Sequence, residues 1–256
     1  MSAMSSAPTM PARLPAPALP AAPSAPVPSA PTLPASLTVA MLLADGRLPS
    51  GGHAHSAGLE PALLAGMPPS EVPAYLVGRA RTTSLVEAGT AVVARHRLRG
   101  DGSRAALDDI VDHWAARTPS AAQREASRLL GRGCLRLASR LWPESAAVQA
   151  CAMLTAPPRP VVIGAIAAVT DMDPRDLVRV FVYEDAQTAA AAMLKLSPAD
   201  PVVPVGWVLA ACAAVEDRVD AVAALTDPAG IPAGSAPHAE GWAEAHALTN
   251  RRLFRA

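Results

Sequence analysis

The chain has 256 residues, of which 51% are hydrophobic and 17% are charged, and 22 basic side chains balance 22 acidic ones. That length suits one globular domain or two small ones, and the neutral charge predicts neither a nucleic-acid-binding protein nor a trap for acidic substrates. Aromatic residues make up only 3% of the chain, which argues against a surface on which nucleobases stack.

The cysteines and the apolar stretches predict a cellular location. Cys134, Cys151 and Cys212 lie far apart in the sequence, so neither a disulfide framework nor a structural zinc site is indicated. A reducing cytoplasm is therefore the simplest expectation. The longest apolar stretch, 202–215, is interrupted by a proline and a glycine and falls short of the roughly 18 residues that a membrane span needs.

Residues 1–36 differ in composition from the rest of the chain. They hold ten of the 27 prolines, abundant alanine and serine, and one charged residue, Arg13. Such a segment buries too little apolar surface to form a core, so we expect a disordered, partly polyproline-like tail. One folded domain is predicted over residues 37–256.

Helical periodicity bounded by proline, glycine, serine or aspartate recurs along the predicted domain. The stretch 161–169 is the one plausible strand, but its alanines and the lack of partner strands favour a buried helix. The sequence therefore predicts an all-α, single-domain bundle of roughly eight to ten helices. The main predicted helices cover residues 37–44, 70–99, 103–117, 120–141, 175–196 and 205–225, and a further helical pattern starts at Ala54.

A glycine-rich stretch stands out near the start of the domain. Gly51 and Gly52 form a pair that allows a positive φ angle or a close approach of another backbone, and helix is expected just after it. Ser56 and Gly58 are the small residues of that first helix. Glu60 is a lone acid among apolar residues, so it is either solvated on the outer face or paired inside, because burying it alone is costly.

His53 and His55 form the one close histidine pair of the chain. On an extended segment both rings would point the same way, as metal ligands could, and Glu60 or a second copy of the chain could complete such a site. No adjacent cysteine, aspartate or further histidine does so. A structural or transient-contact role is favoured over metal binding.

The predicted helix over residues 120–141 carries an arginine at every fourth position. This spacing drifts by about 40° per step, so the guanidinium groups form a winding stripe rather than one patch. The stripe is either a solvated face or a docking face for an acidic partner, nucleic acid included. Gly131 and Gly133 indicate close helix packing. The arginines are Arg124, Arg128, Arg132, Arg136 and Arg140.

The end of the chain combines a loop-like connector with a basic, aromatic terminus. Residues 226–238 are rich in proline and glycine and are expected to form a flexible connector. A short tethered segment, residues 246–256, adds little to the stability of its own domain but can become ordered on a partner. Lys195, the single lysine, lies where a cation meets the C-terminal end of a helix dipole favourably.

Signatures of catalysis are missing from the sequence. There is no glycine-rich phosphate loop followed by Lys-Ser or Lys-Thr, and no nucleophile elbow. We therefore expect a protein that is not an enzyme, with no catalytic residue and no cofactor.

Two stretches at opposite ends of the predicted domain resemble the urease accessory protein UreF family. The first reads Pro-x-Gly-Gly-x-x-x-Ser-x-Gly-Leu-Glu, with His53 and His55 where the family usually has aromatic residues. The second is the terminus, residues 246–256, in which Ala247 replaces an acid of the family pattern. Between the two stretches, Lys195 matches a basic residue of the family, but the segment that follows it, Ala199-Asp200-Pro201, departs from the family pattern. The matching positions are Pro49, Gly51, Gly52, Ser56, Gly58, Glu60, Lys195, His246, Arg252, Leu253, Phe254 and Arg255.

The resemblance implies a non-enzymatic assembly factor for the nickel centre of urease. Family members act as homodimers with a UreD chaperone, also called UreH, and with the GTPase UreG on apo-urease. It implies that the matching positions bind partner proteins. Two other hypotheses come from the residues themselves: a helical nucleic-acid-binding regulator that uses the stripe from Arg124 to Arg140, and a metal-dependent hydrolase that uses His53, His55 and Glu60.

Overall fold

The computed structural model describes residues 36–100, 102–198, 200–249 and 253–254. Within these ranges the regular elements are helices and no strand occurs, which confirms the all-α prediction. The predicted tail, apart from Ser36, lies outside the described residues. The α-helices are α1 (Ser36–Ala44), α2 (Leu59–Leu64), α3 (Val72–Arg79), α4 (Leu85–Arg99), α5 (Arg104–Ala116), α6 (Ala121–Leu141), α7 (Ala146–Ala152), α8 (Arg159–Val169), α9 (Pro174–Leu196), α10 (Val202–Ala213), α11 (Glu216–Ala223) and α12 (Pro237–Ala247).

Local sequence explains where several of these helices begin. The side chains of Ser103, Ser120 and Ser145 each accept a hydrogen bond from a backbone N–H three residues later, at the starts of α5, α6 and α7. This is the usual N-cap contact, which satisfies one of the unpaired N–H groups of a first turn. A π-helical turn, Ala80–Ser84, joins α3 to α4, so the helix expected over 70–99 is one nearly continuous helical path.

The buried helix α8 lies at the centre of the bundle. It packs against α4, α6 and α7, while α9 contacts α1, α4, α10 and α11. The stretch 161–169 is therefore helical, as favoured, and its first turn contains Pro160, whose fixed φ suits that position. A Cβ added to Gly164 would lie 2.6 Å from the carbonyl oxygen of Ala91, so glycine is what lets the α4 and α8 backbones meet.

The segment expected to be a flexible connector, 226–238, is packed onto the bundle instead. Ile231 is buried, and Arg117, directly after α5, donates to the carbonyl oxygens of Ala229 and Ile231, both at 2.9 Å. Helix α12 then starts at Pro237. The expectation of a loose tether was wrong because proline and glycine content indicates turns but does not show whether those turns are covered.

Two helix boundaries also differ from expectation. The helix expected from Ala54 begins only at Leu59, because Ala57 and Gly58 have φ angles of 49° and 75°. The helix expected over 205–225 is divided between α10 and α11 at Val215, whose ψ of 5° is not that of an α-helix. Among the described residues, no helix is both long and apolar enough to cross a membrane.

Candidate functional site

The glycine-rich stretch forms a loop, residues 49–58, which we call the signature loop. Gly51 takes a φ of 94°, whereas Gly52 lies in a short 3-10 turn without a positive φ. A Cβ on Gly58 would lie 2.7 Å from the Tyr75 hydroxyl oxygen, and that hydroxyl donates to the carbonyl oxygen of Ala57 at 2.8 Å. The loop is therefore fixed against α3, and Gly51 and Gly58 supply its special geometry.

Glu60, in the first turn of α2, binds the end of the chain. Its Oε1 accepts from the backbone N–H of Leu253 at 2.7 Å, and its Oε2 accepts from that of Phe254 at 2.8 Å. The Nε2 atom of His246 lies 3.3 Å from the same Oε2. Glu60 is 5% exposed and His246 is 2% exposed. Of the two alternatives for this acid, pairing inside the protein is therefore correct.

Lys195 of α9 also contacts the end of the chain, through the ring of Phe254. Its Nζ lies 5.2 Å from the centroid of the Phe254 ring, within the range of a cation–π interaction. Phe254 is only 5% exposed and belongs to the main hydrophobic core, whereas Leu253 is exposed. We call Glu60, Lys195, His246, Leu253 and Phe254 the terminal clamp.

The clamp corrects one expectation about the terminus. Phe254 is not free to insert into a partner, because its ring fills this chain's own core. The segment therefore also contributes to stability, which its short, basic sequence did not indicate. Arg252 and Arg255 lie outside the described residues, and a partner-binding role for the remaining matching positions stays a prediction.

Beside the signature loop lies a buried group of charged residues that the sequence analysis missed. Arg79 of α3 forms a bidentate salt bridge with Asp185 of α9. Its Nε donates to Oδ2 at 3.0 Å, and its Nη2 donates to Oδ1 at 2.6 Å. Ser84 donates to the same carboxylate at 3.0 Å. Such paired geometry fixes the orientation of both side chains.

A second set of contacts centres on Arg159. It donates to Glu184 at 2.6 Å, lies 3.8 Å from Glu87 and stacks 4.8 Å from the centroid of the Phe181 ring. Glu87 also accepts hydrogen bonds from Trp114 at 3.0 Å and from Ser127 at 3.1 Å. We call Arg79, Glu87, Arg159, Glu184 and Asp185 the buried charge network.

Burial shifts the proton affinities within this network. It raises the pKa of Glu87 and of Glu184, because both carboxylates lose hydration, and nearby Arg159 offsets only part of that effect. For Arg159, burial by itself lowers the pKa, but Glu184 and Glu87 outweigh it and the net shift is upward. The guanidinium group of Arg159 therefore favours the charged forms of both acids and opposes the effect of burial.

The network lines a cavity of about 110 Å³ next to the signature loop. Gly52, His55 and Gly58 form the loop side of the cavity, and the carboxylates and guanidinium groups form the other side. Charged groups therefore line one side of this cavity, and the cavity lies between the loop and the network.

His53 and His55 do not act as a pair of ligands in this geometry. His53 lies within the turn Gly52–Ala54 and is exposed, whereas His55, directly after the turn, is buried. Both oxygens of Glu60 already accept backbone N–H groups. In the part of the chain that the structure describes, no three His, Cys, Asp or Glu side chains lie close enough to hold a metal ion. The three-residue metal site is therefore not formed.

The arginine stripe of α6 divides into two parts. Arg124 donates to the carbonyl oxygens of Thr118 and Pro119, and the guanidinium carbon of Arg128 lies 5.7 Å from the centroid of the Trp114 ring. These two side chains are used within the fold. Arg132, Arg136 and Arg140 are exposed, so only this second part of the stripe is open to a partner.

Comparison with known proteins decides the family. A family model described as UreF matches residues 69–212. The chain belongs to the UreF family. It is 38% identical over 224 residues to a urease accessory protein UreF of Mycobacterium sp. (strain JLS), covering 86% of this chain and 98% of the relative. A UreF of Mycobacterium tuberculosis (strain ATCC 25177 / H37Ra) is 37% identical over 202 residues, covering 75% and 90%.

A third relative extends the comparison. The UreF of Mycobacterium marinum (strain ATCC BAA-535 / M) is 40% identical over 174 residues, which cover 65% of this chain and 78% of the relative. All three relatives carry the name urease accessory protein. This UreF-family chain is thus similar to accessory proteins over most of its length, in agreement with a role that supports urease maturation.

Proposed function

We propose that this UreF-family chain is a non-enzymatic chaperone for urease, working in the cytoplasm with a UreD/UreH-type protein and the GTPase UreG to insert nickel into apo-urease. The main observation in support of this proposal is the terminal clamp. It is formed by family-matching residues in a chain that belongs to the UreF family. Glu60 of α2 binds the backbone of Leu253 and Phe254, so family-matching residues from both ends of the domain meet in one place. Three free cysteines suit a reducing compartment.

The clamp and the signature loop together form the proposed docking surface for the UreD/UreH-type partner. Pro49, His53 and Leu253 are exposed on it, while Glu60 and Phe254 hold it from inside. In this proposal, most of the positions that match the family pattern fix the shape of the surface and do not touch the partner themselves. Surfaces whose geometry is fixed in advance lose less entropy on binding.

Urease activation tests the proposal. A host that expresses urease with its other accessory proteins but lacks its own UreF is complemented with this chain. We expect nickel content and urease activity to rise above those of the empty vector, because the missing assembly step is supplied. Nickel content and activity equal to the empty vector, with the chain present as folded protein, would contradict the proposed function.

A homodimer is also part of this proposal, and helix α10 offers the surface for it. Val202, Val205 and Leu209 are exposed on its outer side, while Pro204 and Val208 are buried. The helix Val202–Ala213 contains no charged residue. A two-fold dimer brings the same surface patch of both copies together, so an uncharged apolar face meets its mate without like-charge repulsion.

We expect Leu209→Asp to weaken the homodimer by about thirtyfold or more, the cost of losing an anchor worth about 2 kcal/mol. Leu209 is 66% exposed, so the substitution leaves the monomer fold intact. Sedimentation velocity over a concentration series measures the association. The control is Leu248→Asp, at a position that is 86% exposed beyond α12. A wild-type protein that stays monomeric, or a Leu209→Asp protein that dimerises normally, would rule out this interface.

A further inference from the structure

A second groove, separate from the terminal clamp, lies between the signature loop and the outer side of α6. His53 and Ala54 form one wall, and Leu129, Leu130, Arg132 and Arg136 line the other side. Its volume is about 340 Å³. We call it the α6 groove.

The walls of the α6 groove are held in place by backbone packing. A Cβ added to Gly133 would lie 2.1 Å from the carbonyl oxygen of Ser50, so the signature loop rests directly on the α6 backbone. Gly51 next to it takes a φ of 94°, which favours glycine. The position of the signature loop against α6 is therefore set by the backbone at Gly51 and Gly133 rather than by mobile side chains.

The chemistry of the groove is cationic at the rim and apolar at the floor. Arg132 and Arg136 lie one helical turn apart and are exposed. Arg132 is 3.4 Å from Glu125, with both side chains largely in water, a contact that contributes little. No carboxylate of the described residues pairs with Arg136. Leu129 and Leu130, at the floor, are partly buried.

We propose that the α6 groove binds an acidic segment of a protein partner, with two carboxylates about one helical turn apart and an apolar side chain between them. Each guanidinium group takes one carboxylate through two parallel hydrogen bonds, which fixes the register of the segment. The apolar side chain packs on Leu129 and Leu130. This inference rests on the proposed function, since such a partner belongs to urease maturation.

Nucleic acid fits the same groove less well. The arginines of α6 wind by about 40° per step, and the first two of them, Arg124 and Arg128, are used within the fold. Among the described residues, no Phe, Tyr or Trp side chain lines the groove, so the large aromatic rings on which nucleobases usually stack are missing from it. The whole chain has no net charge.

A binding assay on the full-length protein tests the proposal. The probe is a fluorescein-labelled helical peptide with glutamate at every fourth position and leucine between the glutamates, and its affinity is measured by fluorescence anisotropy at low salt. We expect Arg132→Glu/Arg136→Glu to weaken binding at least tenfold. The matched control, Arg140→Glu/Arg218→Glu, makes the same charge change at two exposed arginines outside the groove and is expected to bind like the wild type. Circular dichroism confirms that all three proteins are folded.

Three results of the binding assay would each overturn the proposal: no peptide binding by the wild type, equal losses in both double variants, or tighter binding of duplex DNA than of the peptide. The same variants are then compared for urease activation. If the wild type activates urease and Arg132→Glu/Arg136→Glu does so equally, the groove proposal fails and the proposed function stands. If the wild type does not activate urease, the proposed function fails, and the peptide assay still decides whether the groove binds acidic segments.

Discussion

Replacing Glu60 with alanine is expected to release the end of the chain and to lower the free energy of unfolding by about 3 kcal/mol. The substitution removes a carboxylate that accepts two hydrogen bonds, from the backbone N–H groups of Leu253 and Phe254. Hydrogen bonds to a charged acceptor contribute roughly 1.5 to 3 kcal/mol each. Phe254, now buried, then loses its fixed position against Lys195.

Urea denaturation measures the stability change, and trypsin digestion measures the release. We expect cleavage after Arg252 to become faster in Glu60→Ala, because the next two residues are no longer held. Glu60→Gln is expected to fall between the two proteins, since its amide keeps one acceptor but turns a donor toward the second N–H. Glu71→Gln, at an exposed acid, is the control. Wild-type stability and wild-type cleavage of Glu60→Ala would show that the clamp has no energetic role.

The second large effect is expected for Arg159→Met in the buried charge network. The methionine leaves Glu184 and Glu87 buried without their shared cation. Breaking a buried ion pair from one side typically costs about 3 to 5 kcal/mol. We therefore expect a loss of at least about 3 kcal/mol at neutral pH. The control is Arg175→Met, whose pair with Asp220 is exposed and screened by solvent, so little change in stability is expected.

The pH dependence separates this mechanism from a simple packing defect. The pKa values of Glu87 and Glu184 are already raised above the ordinary 4.5 by burial, and removal of Arg159 raises them further. A folded-state pKa above the unfolded value means that the folded protein binds more protons, so stability falls as pH rises through that range. Denaturation between about pH 5 and pH 8 should thus show Arg159→Met recovering stability relative to the wild type at the acidic end. A constant difference across this range would contradict the assignment.

The helices of the fold were largely predictable because their ends carry local signals. Ser103 and Ser120, the first residues of the helices predicted over 103–117 and 120–141, are the N-caps of α5 and α6. The start of α2 was not predictable, since it depends on positive φ angles at Ala57 and Gly58, and an alanine gives no sign of such a conformation. A helix boundary can be predicted from the sequence where a side chain caps the helix. It cannot be predicted where an unusual backbone angle sets the boundary.

The sequence singled out the residues of the terminal clamp but not their arrangement, and it did not show the charge network. The position of Glu60 among apolar residues showed that it was either solvated or paired, but its partner is a backbone segment 193 residues further along the chain. Nothing local to residues 246–256 shows that Phe254 is buried. The charge network was missed because Glu87 and Arg159 each look like ordinary helix residues, and only tertiary packing brings them together.

The most direct test of the proposed docking surface is the dissociation constant of this chain with its UreD/UreH-type partner, measured by calorimetry for the wild type and Glu60→Ala at a temperature where both remain folded. If the terminal clamp shapes the surface that the partner binds, the variant should bind at least tenfold more weakly, about 1.4 kcal/mol, while Glu71→Gln binds like the wild type. Equal affinity of the wild type and Glu60→Ala for the partner would contradict this proposal.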